Sequence, residues 1–108
     1  MADTFADRVR SQLKLALLGD CGCERTLADL DREARTIGLT GAEIDAALAG
    51  RSFEARTAAA ISFACAIKAG DRSRMEAAHA RAMRLGVSCS ELAEVADEAA
   101  RILAGGEA

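Results

Sequence analysis

The segment Gly38-Leu39-Thr40-x-x-Glu43-Ile44 recurs 48 residues later as Gly86-Val87-Ser88-x-x-Glu91-Leu92. Each copy joins three signals in a fixed order. The glycine suits the left-handed backbone that ends a helix. The hydroxyl residue caps the next helix, and the glutamate three residues on completes a capping box. Ala34 and Ala82 keep the same offset. Self-similarity at such a period marks an internal structural repeat, here of helix, turn and helix. The half-repeats expected from it run from about residue 20 to 50 and from about 70 to 104. The simpler alternative is that two joints reached the same capping chemistry independently.

The rest of the chain is punctuated in the same way. Residues 4–18 place Phe5, Val9, Leu13 and Leu17 four apart, one apolar stripe of a helix that Gly19 ends. A loop or tight turn follows over residues 20–25. Thr26 and Asp29 then read as the start of a helix whose face holds Leu27, Leu30, Ala34 and Ile37. The Thr40 box opens a short helix to Leu48, closed by Gly50. Ser52 reads as the cap of a long helix from Phe53 to Ala69, apolar nearly all round and therefore expected at the centre. Gly70 closes it, Ser73-x-x-Glu76 reads as the next cap, and the Ser88 box opens a last helix ending before Gly105-Gly106. With 26 alanines and no proline, tryptophan or tyrosine, strand formers are scarce. The expectation is one all-α domain over residues 1–108, a compact bundle of five to six helices containing a helix-turn-helix repeat.

Composition also excludes several roles. The chain is 51% hydrophobic with a net charge of −3, too apolar and too weakly charged for a disordered segment. The mild acidity argues against nucleic acid as a partner. No run approaches the ~18 apolar residues of a membrane span, and the charged start lacks the apolar core of a signal peptide. The chain reads as cytoplasmic, where Cys21, Cys23, Cys65 and Cys89 are thiols, redox groups or ligands rather than structural disulfides. Without alanine and cysteine, about 25 larger apolar side chains remain, a thin core at roughly 25 cal/mol per Å². Such a chain is expected to complete its core against copies of itself, as a homo-oligomer.

Phe53-Glu-Ala-Arg56-Thr57, the long apolar helix and His79-Ala-Arg-Ala82-Met-Arg-Leu-Gly86-Val-Ser-x-x-Glu91-Leu-x-Glu94-Val95 together resemble the carboxymuconolactone decarboxylase/alkyl hydroperoxidase D-like superfamily. The resemblance covers residues 50–104, with a weaker echo over 20–48. It implies a carboxymuconolactone decarboxylase-like fold of five or six helices and an obligate oligomer, a trimer or hexamer. It also implies a degenerate peroxidase site. Peroxidase-type members carry Cys-x-x-Cys-x-x-x-His, and counting back from His79 puts Arg72 and Met75 at the cysteine positions. The acidic proton-relay residue of the family falls in the stretch Ala58-Ala59-Ala60, so of that constellation only His79 remains. Decarboxylase-type members lack the cysteine pair as well.

Further groups carry chemistry. Cys21-Gly22-Cys23 suits a strained, oxidising disulfide or a soft metal, and a helix starting at Glu24 would favour a thiolate there. The bland reading is two small residues filling a loop. The 48-residue offset sets Asp31 opposite His79, so the pair does not restore the missing motif. Met75, His79 and Met83 recur every four residues, a spacing open to Cu(I) but commoner as core filler. Cys65 reads as a core residue and Cys89 as a first-turn thiol. Arg72, Arg74, Arg81 and Arg84 form a basic helix that either lines an anion site or pairs with carboxylates of neighbouring helices.

Two functions follow. One is a noncatalytic or small-molecule-binding homo-oligomer that keeps the fold without the thiol chemistry. The other is a thiol-dependent antioxidant enzyme, a peroxidase-like oxidoreductase using Cys21 and Cys23 with His79. Neither calls for a cofactor or a bound metal.

Overall fold

The computed structural model describes residues 7–20 and 23–105. Among these residues are six helices and no strand: α1 (Asp7–Leu18), α2 (Glu24–Ile37), α3 (Gly41–Leu48), α4 (Ala55–Ala69), α5 (Arg72–Arg84) and α6 (Cys89–Leu103). The radius of gyration is 13.0 Å, that of a compact chain of this length. The starts of α4, α5 and α6 each lie 48 residues after those of α1, α2 and α3. The repeat is therefore a three-helix unit, longer than the helix-turn-helix halves expected from the joints alone.

Both joints are built alike. Gly38 and Gly86 take left-handed φ values of 113° and 95°, which a β-carbon would penalise. The next residue turns inward at each joint, and the amides of Leu39 and Val87 donate to the carbonyls of the fully buried Ala34 and Ala82. Thr40 Oγ1 accepts from the Glu43 amide while Glu43 Oε1 accepts from the Thr40 amide; Ser88 and Glu91 repeat the exchange. An arginine from the first helix of each unit then clamps the joint. Arg8 donates to the Gly38 carbonyl at 3.2 Å and to Glu43 at 2.6 Å. Arg56, its equivalent, donates to the Gly86 carbonyl at 3.1 Å and to Glu91 at 3.4 Å. Asp20 and Lys68 also occupy equivalent positions, and they pair with one another at 2.8 Å.

The core falls into two clusters. Leu15, Leu30, Ala34, Leu39, Ile44 and Ala47 close the first unit. The larger cluster joins Leu13 and Leu17 of α1 to α4, Ala82, Val87 and the inner face of α6. Leu13 and Leu17 do form the expected stripe, but Leu15 on the other side of α1 is equally buried. Helix α1 therefore packs against α2, α3, α4 and α6, and shares with α4 the central place expected of α4. Among the described residues nine of the 21 buried apolar side chains are alanines, small enough to let helices approach closely. Beyond the repeat, α6 continues past the length of α3. That extension places Glu98, 6% exposed, where it accepts from Arg10 of α1 at 3.2 Å and from Arg101 at 2.8 Å.

Three helix starts differ from expectation. Helix α2 begins at Glu24, with Cys23 rather than Thr26 at the cap position. Helix α4 begins at Ala55, because Ser52 accepts from the Glu54 amide and closes a turn just before it. Helix α5 is capped by Asp71, which accepts from the Arg74 amide. Asp caps as well as Ser, and Asp71 follows the Gly70 stop directly, so the helix starts two residues earlier than Ser73 would allow.

Candidate functional site

Of the sequence-predicted site residues, Cys21 lies outside the described residues. Cys23 is exposed at the N-terminus of α2. Its thiol is held below the ordinary cysteine range, first by hydrogen bonding with the Thr26 hydroxyl, then by the amides of Thr26 and Arg25. The early start of α2 produces this, since it turns those groups toward the sulfur. The Cys23 thiol is thus pushed toward the thiolate form.

His79 lies half-buried on α5, with its ring edge-on to Phe63 of α4 and the centroids 5.6 Å apart. An aromatic pair of this kind packs the α4–α5 seam. Met75 and Met83, one turn to either side of it, have different surroundings. Met75 packs against the core, whereas Met83 is 46% exposed and its sulfur lies 3.8 Å from the thiol of Cys89. No group of three or more His, Cys, Asp and Glu side chains able to hold a metal ion occurs among the described residues.

Cys65, equivalent to Leu17, packs against the main core, and burial raises its thiol pKa. Ala59 and Ala60 are buried at the level where the resemblance places an acidic relay, and α4 carries no carboxylate from end to end. The chemistry-bearing groups sit on four different helices: Cys23 caps α2, Cys65 lies in α4, His79 in α5 and Cys89 begins α6.

The motif behind the resemblance has a local explanation as well. Ala82, Gly86, Ser88 and Glu91 are the residues that build the second joint, and Ala34, Gly38, Thr40 and Glu43 do the same work at the first. His79 is the exception. Its equivalent, Asp31, pairs with Arg35 at 3.0 Å.

Grooves among the described residues offer binding surface. The one between α1 and α2, about 410 Å³, is lined by Arg10, Lys14, Asp29, Arg32 and Glu33. Its charges are matched within the chain: Lys14 with Glu33, and Arg32 with Asp29. Two others, of about 200 and 480 Å³, flank Phe53, which is 72% exposed in the turn before α4. No described helix is long and apolar enough to cross a membrane. No protein-family model, curated protein or solved structure matches the chain.

Proposed function

We propose that this chain is a noncatalytic binding protein, a divergent carboxymuconolactone decarboxylase-like helical oligomer whose peroxidase site is degenerate. The observation that carries the proposal is the engagement of His79 by Phe63, on a seam where α4 offers no carboxylate. A thiol peroxidase needs a nucleophile and a base within hydrogen-bond reach. The six-helix architecture and the His79–Val95 pattern support the family reading. Self-association, as a trimer or hexamer, is part of the same proposal, and the exposed Phe53 between two grooves supports it.

Peroxide consumption with a dithiol reductant tests the catalytic half. The expected result is no turnover above buffer; turnover that disappears in His79→Ala overturns the proposal. Light scattering across a range of concentrations tests the assembly, with Phe53→Ser expected to lower the mass. A concentration-independent monomer refutes it.

Cys23 favours a second reading, thiol redox chemistry with Cys21 as partner. Its depressed pKa and exposure are what such a thiol requires. Mass spectrometry of the chain after peroxide treatment decides between them. A Cys21–Cys23 disulfide that forms and is reduced during turnover supports the second reading, and unchanged thiols support the first.

A further inference from the structure

We infer that the outer face of α5 is a docking surface for an acidic, helical polypeptide segment of another protein. The inference begins with Arg74, Arg81 and Arg84. They stand at i, i+7 and i+10, on one face of the helix, over about 15 Å of its length. All three are exposed, and no carboxylate of the described residues pairs with any of them. Arg72, around the helix from the other three, is likewise exposed and unpaired among the described residues.

The duplication supplies an internal control. Helix α2 is the same element of the first unit, and five of its seven charged side chains are in ion pairs. Arg32 pairs with Asp29, Arg35 with Asp31, and Glu33 with Lys14 of α1. At the corresponding positions of the second unit, Asp29 has become Ala77, Asp31 has become His79 and Lys14 has become Ser62, while Glu33 has become Arg81. The carboxylates are gone and one site has changed sign. Helix α2 carries three basic and four acidic residues; α5 carries four basic and one acidic. A surface with unmatched guanidinium groups calls for an anionic partner from outside.

The character of the face selects the class. Its cations are all arginine, whose planar fork matches a carboxylate with two parallel bonds. Ser73, Ala77 and Ala80 are exposed beside them and small enough to let a partner helix approach closely. Leu85, exposed at the C-terminal end of the ridge, offers an apolar anchor. A nucleic acid would meet a molecule of net charge −3 beyond the ridge. An anionic membrane would find apolar side chains at one end of the helix only. An acidic amphipathic helix meets both the charge and the apolar end. The inference goes beyond the noncatalytic reading and does not rest on it, because the ridge binds whether or not a thiol turns over.

The test uses the full chain and a labelled synthetic helix of glutamate, alanine and leucine, with glutamates at i, i+3, i+7 and i+10. Fluorescence anisotropy is expected to show saturable binding that weakens as salt rises. In Arg81→Gln/Arg84→Gln the affinity is expected to fall about tenfold or more, with the helical circular dichroism unchanged. Arg81→Lys/Arg84→Lys should retain the salt dependence and lose several-fold in affinity, since the charge stays and the fork goes. Leu85→Ala should also lose several-fold. Peptide binding that ignores the arginine substitutions, or no binding of the peptide, overturns the inference. So does tighter capture of labelled duplex DNA or of phosphatidylserine vesicles through the same arginines.

Discussion

Helices α2 and α5 occupy the same place in two copies of one unit, yet they treat charge in opposite ways. In α2, Arg32 and Arg35 each hold a carboxylate one turn away, and Glu33 holds Lys14 across the groove. In α5, the arginines hold no carboxylate among the described residues. The joints that follow the two helices have not diverged in this manner. Each keeps its left-handed glycine, its capping box and an arginine clamp from the helix before. The difference shows which constraints are rigid. A backbone that must reverse direction in three residues needs a glycine and a cap, and few residue types satisfy either. An exposed helix face needs only to stay soluble, so it is free to acquire a partner.

The comparison can be broken most forcefully in the core. Leu13 and Ile61 are equivalent positions on α1 and α4, both 0% exposed in the larger cluster. Truncation of either to alanine is expected to cost about 2–5 kcal/mol by chemical denaturation, a large share of the roughly 5–15 kcal/mol available to a domain. Similar costs support two units sharing one core. A loss confined to Ile61→Ala would mean that the first unit is an appendage. Next come the joint glycines. Gly38→Ala and Gly86→Ala each force a β-carbon into the left-handed region, at about 1–2 kcal/mol. No atom crowds the new methyl at Gly86, and only an arginine tip approaches it at Gly38, so the two costs should agree. Thermal melts that separate them would show joints of different construction.

The capping boxes give a smaller, pH-dependent comparison. Glu43 and Glu91 titrate below the ordinary glutamate range, chiefly because the Thr40 and Ser88 amides donate to them, with Arg8 and Arg56 adding to the effect. A carboxyl that titrates lower in the folded chain than in the unfolded one stabilises fully above the ordinary range and loses that contribution as pH falls through its depressed value. Stability should therefore decline on acidification. Glu43→Gln and Glu91→Gln should each flatten the decline by a similar amount. If one of them leaves the acid profile unchanged, its box contributes nothing in solution.

Much of this architecture is legible in the sequence, and the parts that are not have physical causes. Glycine stops and capping boxes act between residues at most a few positions apart, so α3, α6 and both joints follow from local pattern. The arginine clamps span 30 and 35 residues and leave no local mark. They emerge only when Arg8 and Arg56 are set side by side at the repeat offset, along with Leu13 and Ile61. The start of α5 was obscured by competition between two good caps two residues apart, Asp71 and Ser73. Cys23 and the helix at Glu24 were readable as a favourable thiol environment, but the contribution of Thr26 requires the helix to have begun. The different surroundings of Met75 and Met83 depend on how far three residues at intervals of four drift around a helix, since the ends of such a series face different neighbours.

The matched pair of double variants, Arg32→Gln/Arg35→Gln in α2 and Arg81→Gln/Arg84→Gln in α5, tests the contrast between the two helices most directly. For each, the free energy of unfolding and the affinity for the acidic helix are measured on the same preparation. The α2 pair is expected to lose roughly 0.5–1 kcal/mol of stability and to keep its affinity, since two one-turn ion pairs are removed. The α5 pair is expected to keep its stability and to lose about tenfold or more in affinity. Equal effects of both pairs on stability and on binding would contradict the division between a self-matched face and an open one.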